Sequence, residues 1–179
     1  MAGRLPGTRH HGRPPSALVS ARALGRRANA AELLYGALIT AGSLAVTSTA
    51  DDRPVRVALG VFGVLVIYWS AHVYSRVMAD RMKDPSASAR ALLAEAAGHE
   101  AAVLHGGVPS LAVFVAASAL GADVSSAAYI ALWATVVMLG LAGWVIGRRA
   151  HAHGLELALE VAAAAGFGML TIALKASLH

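Results

Sequence analysis

Five long apolar segments alternate with short polar ones along the chain. They run from about residue 30 to 49, 55 to 77, 100 to 120, 127 to 146 and 154 to 175. About 20 helical residues, rising ~1.5 Å each, cover the ~30 Å hydrocarbon core of a bilayer. The pattern therefore predicts an all-α fold, a polytopic membrane protein with about five transmembrane helices in one domain over residues 28–179.

Helix-capping residues lie at the borders of these segments. Asn29 and Glu32 have the spacing of a capping box, which predicts that the first helix opens at Ala30. Pro54 suits the first turn of the second helix. Either Asp123 or Ser125 is expected to cap the fourth.

The third apolar segment is preceded by an amphipathic stretch over residues 86–98, which predicts an interfacial helix before the span. Only half a span follows Pro109, so the crossing is expected to begin near Glu100, placing His105 inside the membrane. The pair Gly106 and Gly107, together with Pro109, is expected to weaken or kink the helix there.

Positive charges cluster at alternate ends of the predicted spans. Residues 1–27 contain six arginines and few apolar residues, which predicts a disordered basic cytoplasmic tail. With the N-terminus inside, 12 of the 15 Lys and Arg fall on the cytoplasmic side, and only Arg53, Arg56 and Lys175 fall outside. The positive-inside rule then predicts an extracytoplasmic C-terminus.

Composition supports the membrane interpretation and excludes several chemistries. Hydrophobic residues make up 57% of the 179 residues, charged residues only 14%, and the mean hydropathy is +0.60. The net charge of +5 sits in short clusters between apolar runs, so we expect the lipid bilayer and not nucleic acid as the partner. The absence of cysteine excludes disulfides, thiolate metal sites and cysteine nucleophiles.

Small residues recur at helix-packing spacings on two of the spans. Ala37, Ala41 and Ala45 form a row on the first helix, and Gly143 and Gly147 form a GxxxG pair on the fourth. Such faces allow close helix contact in a bilayer. We therefore predict a homo-oligomer.

Ionisable residues from three helices are predicted to lie at one depth. His72, His105 and Glu160 each fall roughly 6–9 Å inside the cytoplasmic surface, by helical rise. His99, Glu100 and Glu156 lie nearer that surface, as the mouth of the ring. Ionisable groups in hydrocarbon usually face a partner or a water-filled cavity. The leading prediction is a small channel or transporter that passes protons or small cations.

Two alternatives remain open. His and carboxylate side chains fit a divalent metal ion, although no cofactor is predicted outright; the candidate ligands are Glu95, His99, His153, Glu156 and Glu160. The same groups could also join helices in a membrane scaffold or accessory subunit without transport activity. No HExxH motif and no Ser/His/Asp arrangement stands out, which favours a role other than an enzyme.

Four strings carry a family resemblance: residues 68–74 (YWSAHVY), 98–100 (GHE), 147–150 (GRRA) and 174–179 (LKASLH). They resemble those of small integral membrane proteins of actinobacteria to which no activity is assigned. The similarity covers about residue 30 to the end. It implies a location in the bacterial plasma membrane and supplies no functional residues.

Overall fold

The computed structural model describes the backbone of residues 15–178 and the side chains of residues 31–178. Within these residues the chain forms helices and no strands. The five helices are α1 Pro15–Ala50, α2 Pro54–Lys83, α3 Ala89–Ala119, α4 Val124–Arg149 and α5 Leu155–Ser177. Each contains a stretch long and apolar enough to cross a bilayer, which in α1 is Ala31–Ala50. The predicted five-span helical fold is confirmed.

Short connections make the five helices run up and down as an antiparallel bundle. The α2–α3 and α4–α5 connections share one end, called here the basic end because Arg81, Lys83, Arg148 and Arg149 lie there. The α1–α2 and α3–α4 connections share the other, called the Asp123 end. Helix α1 is central, since it contacts each of the other four helices.

The crossing of α1 and α3 is unusually close and depends on glycine. A Cβ at Gly36 would overlap the carbonyl oxygen of Val103, and a Cβ at Gly106 would overlap that of Leu33. Gly107 likewise admits the side chain of Thr40. The glycine pair that was expected to weaken α3 thus forms its contact with α1, and the helix continues through Pro109.

The small-residue faces pack inside one chain. Ala37, Ala41 and Ala45 are all buried. On α4, Gly143 accommodates α5 at Ala164, while Gly147 lies against the side chain of Glu160. These faces are therefore not free to bind a second copy of the chain. Self-association stays a prediction, but the small-residue faces no longer support it.

Three predicted helix borders differ from the structure by more than a turn: the starts of α1 and α3, and the end of α2, which is Lys83 instead of about Val77. Helix α1 begins at Pro15 instead of Ala30, so residues 15–27 of the predicted tail are helical, while residues 1–14 lie outside the described part. This segment is rich in Ala, Leu and Arg, which favour helix, and begins with Pro, which suits the first turn. Residues 89–98 of the predicted amphipathic helix are continuous with the third span, as no helix-breaking residue separates them, while residues 86–88 belong to the preceding turn.

The turns agree better with the sequence. Pro54 occupies the first turn of α2. Asp123 caps α4 by accepting a hydrogen bond at 3.0 Å from the backbone N–H of Ser126. That hydrogen bond lowers the pKa of the Asp123 carboxyl, and a hydrogen bond from the Ser126 side chain makes a second, smaller contribution. At the basic end, hydrogen bonds from the side chain and backbone of Ser86 lower the pKa of Asp84.

Candidate functional site

Four ionisable side chains from three helices meet near the basic end. They are Glu32 on α1, Arg76 on α2, and His99 with Glu100 on α3, and we call them the ionic cluster. The Glu100 side chain is only 6% exposed and that of Glu32 16%. Charged groups this buried in an apolar bundle are costly without partners, so their convergence marks the candidate site.

Arg76 holds the cluster together from α2. Its Nη1 forms a short ion pair with Glu100 Oε1 and lies 3.0 Å from Nδ1 of His99. Because arginine carries a charge at any physiological pH, the guanidinium is a fixed positive charge. With a neutral imidazole, two carboxylates and one guanidinium leave a net charge of −1, which favours the binding of one more positive charge.

The imidazole of His99 faces partners of opposite charge at one nitrogen. Nδ1 lies 3.0 Å from Arg76 Nη1 and 3.6 Å from Glu32 Oε1. Arg76 can only donate, so a neutral Nδ1 accepts from it. A protonated Nδ1 can only donate, and Glu32 Oε1, at the ion-pair distance of 3.6 Å, accepts from it after a small approach. The second oxygen of that carboxylate, Oε2, is buried and has no hydrogen-bond partner within residues 31–178.

A cavity of about 330 Å³ with a mixed polar and apolar lining opens beside the cluster. His72, Ser75, Arg76 and Glu100 line it, with two alanines of α2. His72 packs on Tyr68, with ring centroids 4.3 Å apart, and its Nδ1 lies 3.2 Å from that residue's carbonyl oxygen. The cavity thus gives the buried carboxylate of Glu100 an approach from the basic end.

Further buried polar groups continue through the bundle. Thr40 is fully buried two turns beyond Glu32 on α1, and Ser110 on α3 bonds Thr135 on α4 at 2.7 Å between hydroxyl oxygens. Near the Asp123 end, the buried Lys175 donates to Ser48 Oγ at 2.8 Å. No hydrogen bond within residues 31–178 joins Thr40, the Ser110–Thr135 pair and the Lys175–Ser48 pair to one another, so they form separate steps.

A second cavity, of about 310 Å³, lies at the Asp123 end. Ser48, Thr49, Asp52 and Asp123 contribute its polar lining together with Ser125. The two cavities stand at opposite ends of the bundle. The first is lined by α2 and α3 near the basic end, and the second by the α1–α2 and α3–α4 turns at the Asp123 end. Each ends against a buried ionisable residue, Glu100 at one end and, through Ser48, Lys175 at the other.

The structure brings together only part of the predicted ring. His72 lines the same cavity as Glu100, and His99 lies in the ionic cluster. His105 is exposed, with its Nδ1 2.7 Å from the carbonyl oxygen of Ala101 in its own helix. Glu160 is exposed on α5 against Gly147 of α4. Within residues 31–178, no hydrogen bond or ion pair joins His72, His105 and Glu160.

The remaining candidates for a metal site are dispersed. Glu95, His153 and Glu156 are exposed. The donor atoms that do converge belong to Glu32, His99 and Glu100, all within 4.8 Å of one another. Only His99 of this group was a predicted metal ligand.

Sequence reasoning missed two members of the ionic cluster. Glu32 was interpreted as part of a helix cap and Arg76 as a topology determinant. One signal was available for Glu32: residues 32, 36, 40, 44 and 48 form one i,i+4 row on α1, with three polar members and a glycine. The row spans about 24 Å by helical rise, close to the thickness of the hydrocarbon core.

The five apolar helices define the class of fold, a polytopic α-helical membrane protein. Comparison with known proteins adds no relative, since no protein-family model, no curated protein and no solved structure matches the chain. The resemblance to actinobacterial membrane proteins therefore stays a prediction.

Proposed function

We propose that this protein carries protons or small cations across a bacterial plasma membrane, and that the ionic cluster is the site that binds them. The observation that carries the proposal is the pair of alternative partners at His99 Nδ1: Arg76 at 3.0 Å and Glu32 at 3.6 Å. A group that accepts in one state and donates in the other has the chemistry of a proton relay.

The relay follows from the donor and acceptor roles. The lone pair of Nδ1 takes a proton arriving by way of the cavity beside the cluster, and its hydrogen bond from Arg76 breaks. The new N–H then donates to Glu32 and passes the proton to that carboxylate, which restores the neutral imidazole. The fixed charge of Arg76 repels the imidazolium and so favours the transfer. Glu32 lies on the α1 row that leads toward Ser48.

The topology of the proposal follows the charge distribution. The basic end faces the cytoplasm and the Asp123 end faces outward, as the positive-inside rule favours. One chain supplies all four side chains of the ionic cluster. A second copy is therefore not required to complete the site.

Proton flux into liposomes containing the purified protein tests the proposal. An enclosed pH-sensitive dye reports entry after a pH step, with valinomycin and K⁺ to clamp the potential. We expect wild-type flux well above that of empty liposomes. Glu32→Gln and His99→Gln should each lower it at least tenfold, because an amide side chain neither takes up nor releases a proton in this range.

Exposed residues of α5 and α3 provide matched controls. Glu156→Gln removes a carboxylate outside the ionic cluster and should leave the flux unchanged, as should His105→Ala. A wild-type flux equal to the empty-liposome leak from pH 5 to 8 would contradict transport. A scaffold or accessory role would then be the better interpretation, and a partner that co-purifies in fixed ratio would support it.

A divalent metal site is the second candidate, favoured by the convergence of Glu32, His99 and Glu100 within 4.8 Å. Carboxylate and imidazole suit Zn²⁺, Mn²⁺ or Fe²⁺. Arg76 opposes it, since its guanidinium is paired with one oxygen of Glu100 and its positive charge would repel a divalent ion at the same carboxylate. Elemental analysis after dialysis against Mn²⁺ or Zn²⁺ tests this; one equivalent that is lost in His99→Ala would favour the metal.

A further inference from the structure

Lys175 is the buried cation of the bundle at its Asp123 end. Its side chain is 0% exposed, although it lies in the last turn of α5, where a lysine usually extends to the surface. Nζ donates to Ser48 Oγ on α1 at 2.8 Å and lies 4.9 Å from the ring centroid of Tyr129 on α4. Three helices therefore enclose one ammonium group.

The ammonium has neutral partners. No carboxylate among the residues with described side chains lies within ion-pair distance of Nζ. It contacts a hydroxyl and the face of an aromatic ring, through a cation–π contact, and the Asp123 carboxylate attracts it from beyond ion-pair distance. A buried charge with so little compensation is expensive, and in membrane proteins such groups mark ion pathways.

The position of Lys175 beside the second cavity, at the Asp123 end, suggests its role. Ser48 lines the cavity of about 310 Å³ and also accepts the hydrogen bond from Nζ, so the ammonium lies one hydrogen bond below the cavity floor. Asp52 and Asp123 line the same cavity. Carboxylates at a mouth attract cations of every kind, and the next group inward must then discriminate between them.

We propose that Lys175 is the selectivity element of the pathway, admitting protons and excluding metal cations; the inference rests on the transport function proposed above. A fixed ammonium repels Na⁺ or K⁺ in a low-dielectric interior. A proton does not have to move past the ammonium as an ion, because it can be exchanged on the amine nitrogen itself. The N–H bond of Lys175 that points to Ser48 breaks as its proton passes to Ser48 Oγ and the hydroxyl proton of Ser48 passes to water in the cavity; the amine lone pair left behind takes a new proton from a hydronium ion on the interior side.

The chain offers a well-matched control, because its only other lysine is Lys83. Lys83 is 76% exposed at the basic end and pairs with Asp80 at 2.8 Å. Lys83→Met therefore removes the same charge from a site without a role in selectivity. Lys175→Met and Lys175→Gln remove the buried charge in two ways, and Lys175→Arg keeps a charge that does not give up its proton.

Parallel measurements of H⁺ and K⁺ flux in liposomes, each with its own enclosed dye, test the proposal. Wild type and Lys83→Met should pass H⁺ without K⁺. Lys175→Met and Lys175→Gln should raise K⁺ flux at least tenfold. Lys175→Arg should continue to exclude K⁺ while its H⁺ flux falls at least tenfold. Variants are compared only if gel filtration and helical circular dichroism match the wild type.

Glu32→Gln, run alongside, separates the two proposals. If it stops wild-type H⁺ flux while every Lys175 variant behaves as wild type, transport stands and the selectivity role is overturned. A wild type that passes K⁺ as readily as H⁺ overturns it as well. If the wild type passes neither ion, the transport function fails and the role of Lys175 fails with it.

Discussion

Arg76 on α2 and Glu100 on α3 form an ion pair that is buried on one side only. The carboxylate side chain is 6% exposed, whereas the guanidinium side chain is 37% exposed. The carboxylate thus depends on the arginine for charge compensation more than the arginine depends on it. This asymmetry determines what single and double substitutions should do.

Arg76→Met should destabilise the protein strongly, because it leaves the buried Glu100 charge uncompensated. Removal of one partner of a buried pair costs about 3–5 kcal/mol, and the partial exposure of Arg76 places the expected loss at the lower end. Adding Glu100→Gln should recover much of the loss. Unfolding by SDS titration measures both, and equal stability of the single and double variants would contradict the dependence.

The close α1–α3 crossing predicts opposite responses at two glycines of one helix. Gly36→Ala should cost about 1–3 kcal/mol, because its Cβ would overlap the carbonyl oxygen of Val103 and force the helices apart. Gly42→Ala, where nothing lies within 4 Å of the new Cβ, should be neutral or slightly stabilising. Thermal unfolding in detergent compares the pair. Similar melting temperatures would show that the crossing is looser.

The hydrogen bond between Ser110 and Thr135 is expected to stabilise the α3–α4 contact. Ser110→Ala should lower the free energy of unfolding by about 0.6–2 kcal/mol, the range for such bonds in a bilayer. Ser70→Ala is the control, since Ser70 is exposed and bonds only the carbonyl oxygen of Val66 in its own helix. An equal loss in both variants would assign the effect to local helix stability.

The cap of α4 predicts a pH-dependent stability. The Ser126 hydrogen bonds lower the pKa of Asp123, so its contribution is fully present above the unfolded value of about 3.9. It is lost as the pH falls through the lower pKa of the folded state. The melting temperature of Asp123→Asn should therefore be lower than that of the wild type at pH 6, and the difference between the two should become smaller toward pH 3. A gap independent of pH would contradict the assignment; Asp52→Asn is the control.

The number of spans and most helix borders could be predicted from the sequence, because hydropathy and turn chemistry are local properties. Asp123 and Pro54 illustrate this, since each acts on backbone within three residues of itself. The ionic cluster is different. Glu32 and His99 lie far apart in the chain, and their contact depends on which faces of α1 and α3 meet.

The sequence also contains part of the information on which faces of α1 and α3 meet. Gly36 and Gly106 determine how closely α1 and α3 approach, and Glu32 lies one turn before Gly36 on the same row. Equal depth in the membrane was a weaker guide to which ionisable residues meet than the glycine contacts were. Depth does not take account of which helices are neighbours in the bundle. Glu160 shares the predicted depth of His72, yet α5 packs mainly on α4 and α1 and not beside α2.

The bond between Lys175 and Ser48 joins residues 127 positions apart, in the fifth helix and the first. The ribosome delivers α5 after the other four helices. The pocket that shields its ammonium is made by α1 and α4, so α5 can bury this charge only once those two helices are already associated. Burial of the Lys175 charge is therefore coupled to the association of α1 with α4.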